Sequence, residues 1–199
     1  MDERLAPAGA ALPVFTIGHS TRTLAEFVDL LRAGGVQLVV DVRSVPRSRT
    51  NPDYNLDSLP AALADYQIGH TRIGALGGLR KRSAAVPPEV NGFWTNRSFH
   101  NYADHALTDE YRGGLAELMA LSTERRTAIM CAEAVWWRCH RRIIADYLIA
   151  AGRTVYHLMD GSKIVPARPT PGLEIAADGI HYPAAAKDRA DDGPELPFA

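Results

Sequence analysis

The sequence predicts a three-layer α/β domain with a mostly parallel, Rossmann-like sheet and a C-terminal β-hairpin. Short apolar runs alternate with segments of helical periodicity, as is typical of parallel strands joined by right-handed crossovers. The run VQLVVDV at 36–42 is almost continuously aliphatic, which indicates a strand buried on both faces. Turn residues interrupt the late apolar segments: Asp160-Gly161 favours one tight hairpin, and residues 173–183 favour another.

The elements follow from apolar spacing and from residues that start or stop helices. Strands are predicted at 14–18, 36–42, 70–74, 127–133 and 154–159. Helices are predicted from Thr21 or Thr23 to Gly34-Gly35, and over 56–67, 107–122 and 140–152. Residues 75–103 lack clear periodicity, and we expect them to be irregular.

Length and composition are those of one domain, because 199 residues with 46% hydrophobic content can bury one sizeable core. We predict a folded domain over 13–184 between flexible tails at 1–12 and 185–199. The start of the chain lacks the basic and apolar regions of a signal peptide. No run approaches the roughly 20 apolar residues that span a bilayer. These features predict a cytoplasmic protein without a membrane partner, in which cysteines stay reduced.

Polar side chains follow four of the predicted strands at the points where those strands end. Ligands of open α/β sheets bind outside the carboxyl ends of the strands, so we expect a functional cleft there. The residues at these ends are Gly18-His19-Ser20; Asp41, Arg43, Ser44, Arg47, Ser48 and Arg49; Gly74, Leu76-Gly77-Gly78 and Arg80-Lys81-Arg82; and Cys131, Glu133 and Cys139-His140-Arg141.

The candidate catalytic residues are His19, Asp41, Glu133 and Cys139. Cys139 falls at the start of a strong helix, where unpaired N–H groups favour a thiolate or a bound anion. The other three offer acid or base chemistry. The structural alternatives are a cysteine packed at a corner, a histidine that donates to a loop carbonyl, and carboxylates that order loops or pair with Arg43.

The candidate binding residues are those that hold an anion, let backbone approach a ligand, or stack on a base. They are Ser20, Arg43, Ser48, Gly77, Gly78, Trp94, Cys131, His140 and Arg141. The sequence contains neither a dinucleotide-binding G-x-G-x-x-G nor a P-loop, and we predict no cofactor.

Other cysteine chemistry fits the spacing less well. Cys131 and Cys139 lack the C-x-x-C spacing of a redox pair, and a zinc site made by these two, His140 and His19 lacks the usual paired ligands. We therefore predict no metal. Arg141 follows Cys139 by only two residues, which argues against the C-x-x-x-x-x-R loop of cysteine phosphatases.

Several ordered motifs resemble the bacterial family called domain of unknown function 488. They are TIGHS at 16–20, DVRSVPRS at 41–48, LGG at 76–78, CAE at 131–133 and CHR at 139–141, and the resemblance runs from about 14 to 183. It implies a compact α/β domain and no particular reaction. The shared pattern implied by the resemblance includes His19, Arg43, Ser48, Cys131, Glu133, Cys139, His140 and Arg141.

The leading hypothesis is a hydrolase or transferase with an anion-binding cleft that acts on a phosphate-bearing substrate, either a nucleotide or nucleic acid. Basic and acidic residues nearly cancel, 22 against 23, so affinity for nucleic acid would need a local cluster. One alternative is a non-catalytic module that binds single-stranded nucleic acid through the basic loops at 43–49 and 80–82. The other is a thiol redox sensor that uses Cys131 and Cys139.

Overall fold

The computed structural model describes residues 11–184, which form a six-stranded sheet, five α-helices and a separate two-stranded hairpin. The strands are β1 Val14–Gly18, β2 Leu38–Asp41, β3 Gly69–Arg72, β4 Thr127–Cys131, β5 Val155–Met159, β6 Lys163–Pro166, β7 Glu174–Ala176 and β8 Gly179–His181. The helices are α1 Leu24–Ala33, α2 Leu59–Ala64, α3 Arg97–His105, α4 Asp109–Glu124 and α5 Arg141–Ala150.

The large sheet has the order β3-β2-β4-β1-β5-β6, with β6 antiparallel and the other pairs parallel. β4 therefore lies between β1 and β2. Gly18 pairs with Cys131, and Asp41 pairs with Met130. This register brings the carboxyl ends of three strands to one edge, where the site is built.

Two apolar clusters fill the space on either side of the sheet, because alternate residues of a strand point to opposite faces. One cluster joins β-strand residues to Phe27 and Leu31 of α1 and to Leu63 of α2. The other joins the opposite strand faces to α3, α4 and α5, with Tyr102, Tyr111 and Ile144 at its centre. The prediction of a three-layer, mostly parallel α/β fold is confirmed.

Helix α1 begins where the sequence offers a capping box. Thr23 accepts a hydrogen bond from the Glu26 amide, and the Glu26 carboxylate accepts from the Thr23 amide at 2.8 Å. Thr23 is therefore the cap of the two threonines considered. Gly34 ends the helix as expected.

The prediction that residues 75–103 are irregular is wrong for α3. Asn96 caps this helix by accepting from the amides of Ser98 and Phe99. The helix buries polar side chains, including Asn101, Asp104 and His105. Phe99, Tyr102, Ala103 and Ala106 recur at helical spacing and pack into the apolar core, but the polar side chains buried among them obscure this periodicity in the sequence.

Both predicted hairpins form. β5 and β6 pair antiparallel across a turn in which Gly161 and Ser162 have positive φ, and β7 pairs with β8. The predicted tails fall on residues 1–10 and 185–199, outside the described residues, and on Ala11 and Leu12. In residues 11–184, no helix combines the length and apolar character needed to cross a bilayer.

Candidate functional site

The two cysteines touch at the junction of β4 and α5. Cys131 ends β4, and Cys139 lies two residues before α5. Their Sγ atoms are 2.7 Å apart, and both thiols are free and buried. A 3₁₀ turn over Trp136–Arg138 makes this possible, because the Cys139 amide donates to the Trp136 carbonyl at 3.1 Å and turns the chain back.

The two sulfurs have different polar neighbours. Arg141 Nε donates to Cys139 Sγ at 3.2 Å, and His140 Nδ1 lies 3.6 Å from the same sulfur. The Glu133 amide donates to Cys131 Sγ at 3.3 Å. Arg141 is 1% exposed, and its Nη2 donates to the Glu133 carbonyl at 2.6 Å. The guanidinium is thus satisfied by a sulfur and a carbonyl oxygen rather than by a carboxylate.

These neighbours separate the two thiols in acidity. Burial raises the pKa of Cys131 well above its ordinary value, and the hydrogen bond with Cys139 adds to this. Burial also opposes ionisation of Cys139, but the Cys131 hydrogen bond and the charge of Arg141 outweigh it and hold the pKa of Cys139 well below its ordinary value. These neighbours therefore favour ionisation of Cys139 over ionisation of Cys131.

Gly18 allows the loop after β4 to approach β1. A Cβ at this position would lie 1.8 Å from the Glu133 carbonyl oxygen and 3.0 Å from Arg141 Nη2. Only glycine leaves room for a backbone that close. The sequence contains Gly18 in the TIGHS motif, but the partner it accommodates becomes visible only in the fold.

A second polar cluster lies at the ends of β1 and β2. Asp41 accepts from the amide of Arg43 at 2.9 Å and from its guanidinium in a two-pronged pair at 2.5–3.0 Å. Arg43 Nη2 also donates to the Tyr54 carbonyl at 2.7 Å. Both side chains are buried, with Asp41 at 0% exposed and Arg43 at 5%. Asp41 thus orders the loop, as the structural alternative states, and much of Arg43 is occupied by the protein.

His19 completes this cluster as a neutral acceptor. Its Nδ1 donates to the Ser20 carbonyl at 3.1 Å, so Nε2 accepts from Arg43 Nη1 at 3.2 Å. The ring stacks on Tyr54 with centroids 4.3 Å apart. Burial, aided by the charge of Arg43, lowers the pKa of His19 to about 4. His19 is therefore uncharged at neutral pH.

A cavity of about 390 Å³ opens beside the cysteines. Of the predicted site residues, six border it: Arg43, Gly78, Cys131, Glu133, Cys139 and His140. Its other walls include Ser44, which the sequence placed at this edge, and Phe99. Asn96 and the exposed Arg138 also border it, and sequence reasoning did not single them out. Asn96 caps α3 and Phe99 lies in it, and sequence reasoning did not predict this helix.

The remaining candidates lie behind or away from this cavity. Ser20 is bonded through its amide to the Ala132 carbonyl at 2.9 Å, while Ser48 accepts from the Asn51 amide at 3.0 Å in its own loop. Gly77 packs on Ser44. Trp94 stacks on Phe99 at 4.8 Å and is covered by the guanidinium of Arg142. His19, Asp41 and Arg141 support the wall from behind.

Two further residues were missed by sequence reasoning. Arg22 is buried and donates to the Gly18 carbonyl and, at 2.6 Å, to Asp160. This pair ties the end of β1 to the β5–β6 turn. His70 lies 4.0 Å from Asp41, with Nε2 buried and unpartnered. The position of Arg22 just after the first strand could have indicated a role at this edge of the sheet. Nothing in the sequence around His70 indicated that it would lie beside Asp41.

The family model described as Domain of unknown function DUF488 matches residues 23–148, more than half of the 199 residues. The match includes both cysteines, Arg43 and Arg141, and begins after the TIGHS motif. The comparisons with curated proteins and with solved structures gave no match.

Proposed function

The chain belongs to the DUF488 family, whose name states no activity, and we propose from the site that it is a redox-active dithiol protein. Cys139 is the attacking thiolate, and Cys131 is the thiol that resolves the oxidised product. The observation that carries this proposal is the 2.7 Å contact between two free sulfurs of opposite pKa shift.

The local electrostatics support this division of roles. A buried guanidinium without a carboxylate partner stabilises a nearby anion, and the sulfur of Cys139 accepts a hydrogen bond from Arg141. Cys131 keeps its proton because burial disfavours its thiolate. Cys139 borders the cavity, so a small oxidant has a space beside its sulfur.

The oxidant class that we propose is a small peroxide. The Cys139 thiolate attacks one peroxide oxygen, the O–O bond breaks, and hydroxide leaves, so that Cys139 becomes a sulfenic acid. The Cys131 sulfur then attacks Cys139 Sγ. Water leaves with the Cys131 proton, and the Cys131–Cys139 disulfide forms. Two electrons pass from the thiols to the peroxide.

Intact mass spectrometry after mild peroxide tests the proposal, with a metal chelator present throughout. The wild-type protein should lose two hydrogen atoms and show a 131–139 disulfide. Cys131→Ser should stop at a sulfenic acid on Cys139 that dimedone traps, whereas Cys139→Ser should leave Cys131 reduced. A wild-type protein that keeps both thiols, or in which Cys131 reacts first, would overturn the assignment.

A second candidate is an enzyme that attacks a phosphate-bearing substrate with Cys139. The cavity favours it, because exposed Arg138 shares the wall with Cys139 and can meet an anion entering from solvent. The guanidiniums of Arg43 and Arg141 contribute less than the sequence suggested, since protein groups occupy most of their donors.

Protection of Cys139 from alkylation distinguishes this candidate. A nucleotide, inorganic phosphate or a single-stranded oligonucleotide that binds the cavity should slow labelling, and protection should weaken as salt rises. Arg138→Gln should reduce it several-fold. Arg125→Gln, at an exposed site just before the amino end of β4, is the matched control. Absence of protection by all three ligands would remove this candidate.

A further inference from the structure

We infer that the reduced site binds a thiophilic divalent cation of the Zn²⁺ class through Cys131, Cys139 and His140. One ligand atom from each residue, two sulfurs and an imidazole nitrogen, lies within 4.8 Å of the others. Adjacent cysteine and histidine made this site look improbable from sequence spacing. The fold nevertheless brings Cys131, at the end of β4, beside the other two ligands.

The imidazole of His140 has the tautomer that metal ligation needs. Nε2 donates to the Val42 carbonyl at 3.0 Å, because a carbonyl can only accept. In the neutral ring the lone pair is therefore on Nδ1, which faces Cys139 Sγ at 3.6 Å. Metal-binding histidines commonly donate their other ring nitrogen to a backbone carbonyl in this way, which fixes the ring. Here the hydrogen bond exists without the metal.

The ring of His140 is also held by packing. Its face lies against Gly78, where an added Cβ would come within 2.5 Å of Nδ1, and against Tyr102 at 4.9 Å between centroids. The close backbone at Gly78 keeps the ring beside the thiols. His140 therefore loses little freedom when it binds a cation.

The sulfurs have donors that stabilise their ionised forms. Arg141 Nε donates to Cys139 Sγ, and the Glu133 amide donates to Cys131 Sγ. Two thiolates and a divalent cation make a neutral unit, which suits a buried position. Zinc–sulfur bonds of about 2.3 Å at tetrahedral angles place two sulfurs roughly 3.8 Å apart. Binding therefore moves the thiols, 2.7 Å apart when free, away from each other by about 1 Å.

The fourth coordination position would face the cavity, because all three ligand residues border it. His19, the fourth ligand considered from the sequence, directs Nε2 at Arg43 instead. Three protein ligands with one open position are typical of catalytic zinc sites, whereas structural sites carry four. The open position would hold water or a small anionic ligand from the cavity.

This inference uses the same thiols as the proposed redox function but does not require it. Calorimetric titration of the reduced, metal-free full chain with Zn²⁺ should show one ion per chain. Titration with Co²⁺ should give the intense d–d bands of a tetrahedral site and a thiolate-to-cobalt charge-transfer band. Bound Zn²⁺ should also slow alkylation of both cysteines at least tenfold.

His140→Gln and Cys131→Ser should each weaken binding about tenfold or more, while His181→Gln, on the distant hairpin, serves as the control. Unchanged affinity in both ligand variants, or no Zn²⁺ binding by the wild type, would overturn the inference. Protection of the wild-type cysteines by Zn²⁺ needs no variant, so it tests the inference even if a variant misfolds. The peroxide assay runs with chelator, so either proposal can fail while the other stands.

Discussion

The charge of Arg141 is the residue-level feature that distinguishes one cysteine from the other. It contacts Cys139 through Nε, while the sulfur of Cys131 is met by a backbone amide. Both thiols are equally buried, so desolvation alone would leave them alike. Hydrogen bonding and charge therefore determine which sulfur ionises.

Removal of this charge should raise the pKa of Cys139. We expect Arg141→Gln to slow iodoacetamide labelling at neutral pH by about tenfold, because one pKa unit changes the thiolate fraction by that factor. Arg142→Gln is the matched control, since the next residue on α5 contacts Thr170 and Trp94 instead. The pH–rate profile of labelling is the measurement. Identical profiles for the two variants would show that Arg141 does not set this pKa.

The Asp41–Arg43 pair should matter for stability, since both partners are buried. Asp41→Asn leaves a buried guanidinium without its charge partner, which costs about 3–5 kcal/mol. Asp109→Asn is the control, because its pair with Arg112 is exposed and worth less than about 1 kcal/mol. Urea unfolding of both variants gives the comparison. Equal losses would mean that burial does not strengthen the first pair.

Element-level contacts decide how the strand ends combine into one site. The β1–β4 register places Gly18 beside Cys131, and the absence of a side chain at Gly18 lets the Glu133 carbonyl cross above it. That carbonyl accepts from Arg141. The close approach of two backbones therefore positions the guanidinium that faces Cys139.

Gly18→Ala should both destabilise the protein and disturb the thiols. Its Cβ would meet backbone at 1.8 Å, and such overpacking costs about 1–3 kcal/mol or more. Gly113→Ala is the control: a Cβ there meets nothing within 4 Å, and alanine favours α4 by up to about 1 kcal/mol. Gly18→Ala should lower the unfolding temperature and alter Cys139 labelling, whereas Gly113→Ala should unfold at the same or a higher temperature and label normally. A stable Gly18→Ala protein with normal labelling would refute this account.

At the scale of the whole molecule, the sequence predicts those features that depend on the order of strands and helices along the chain. Buried strands such as β1 and β4 are continuous apolar runs, so their ends and the shared edge could be predicted. The hydrogen-bond and ion-pair partners of the polar side chains could not be predicted in the same way. Pairing of Asp41 with Arg43 was one alternative among several, and nothing in the sequence indicates that the Tyr54 carbonyl also occupies Arg43. An eight-residue interval does not show that Cys131 and Cys139 touch. Helix α3 was not predicted because the polar side chains buried beside Tyr102 and Ala103 obscure its apolar spacing.

Buried neutral histidines should make the molecule labile in mild acid. His157 stacks on Trp136 and bonds Thr16 at 2.8 Å, and burial, aided by Arg141, lowers its pKa from 6.5 to about 4. Protonation is easier in the unfolded chain, so this contribution to stability is complete above pH 6.5 and is lost as the pH falls toward 4.

We expect the free energy of unfolding to fall by about 1 kcal/mol near pH 5.5 on account of His157, and by a similar amount for His19. Urea unfolding across this interval measures the slope. His157→Gln should reduce this slope by about half, whereas His181→Gln, at a half-buried site on the hairpin, should leave it unchanged. Stability that stays constant from neutral pH to about pH 5 would mean that these rings are protonated inside the folded protein.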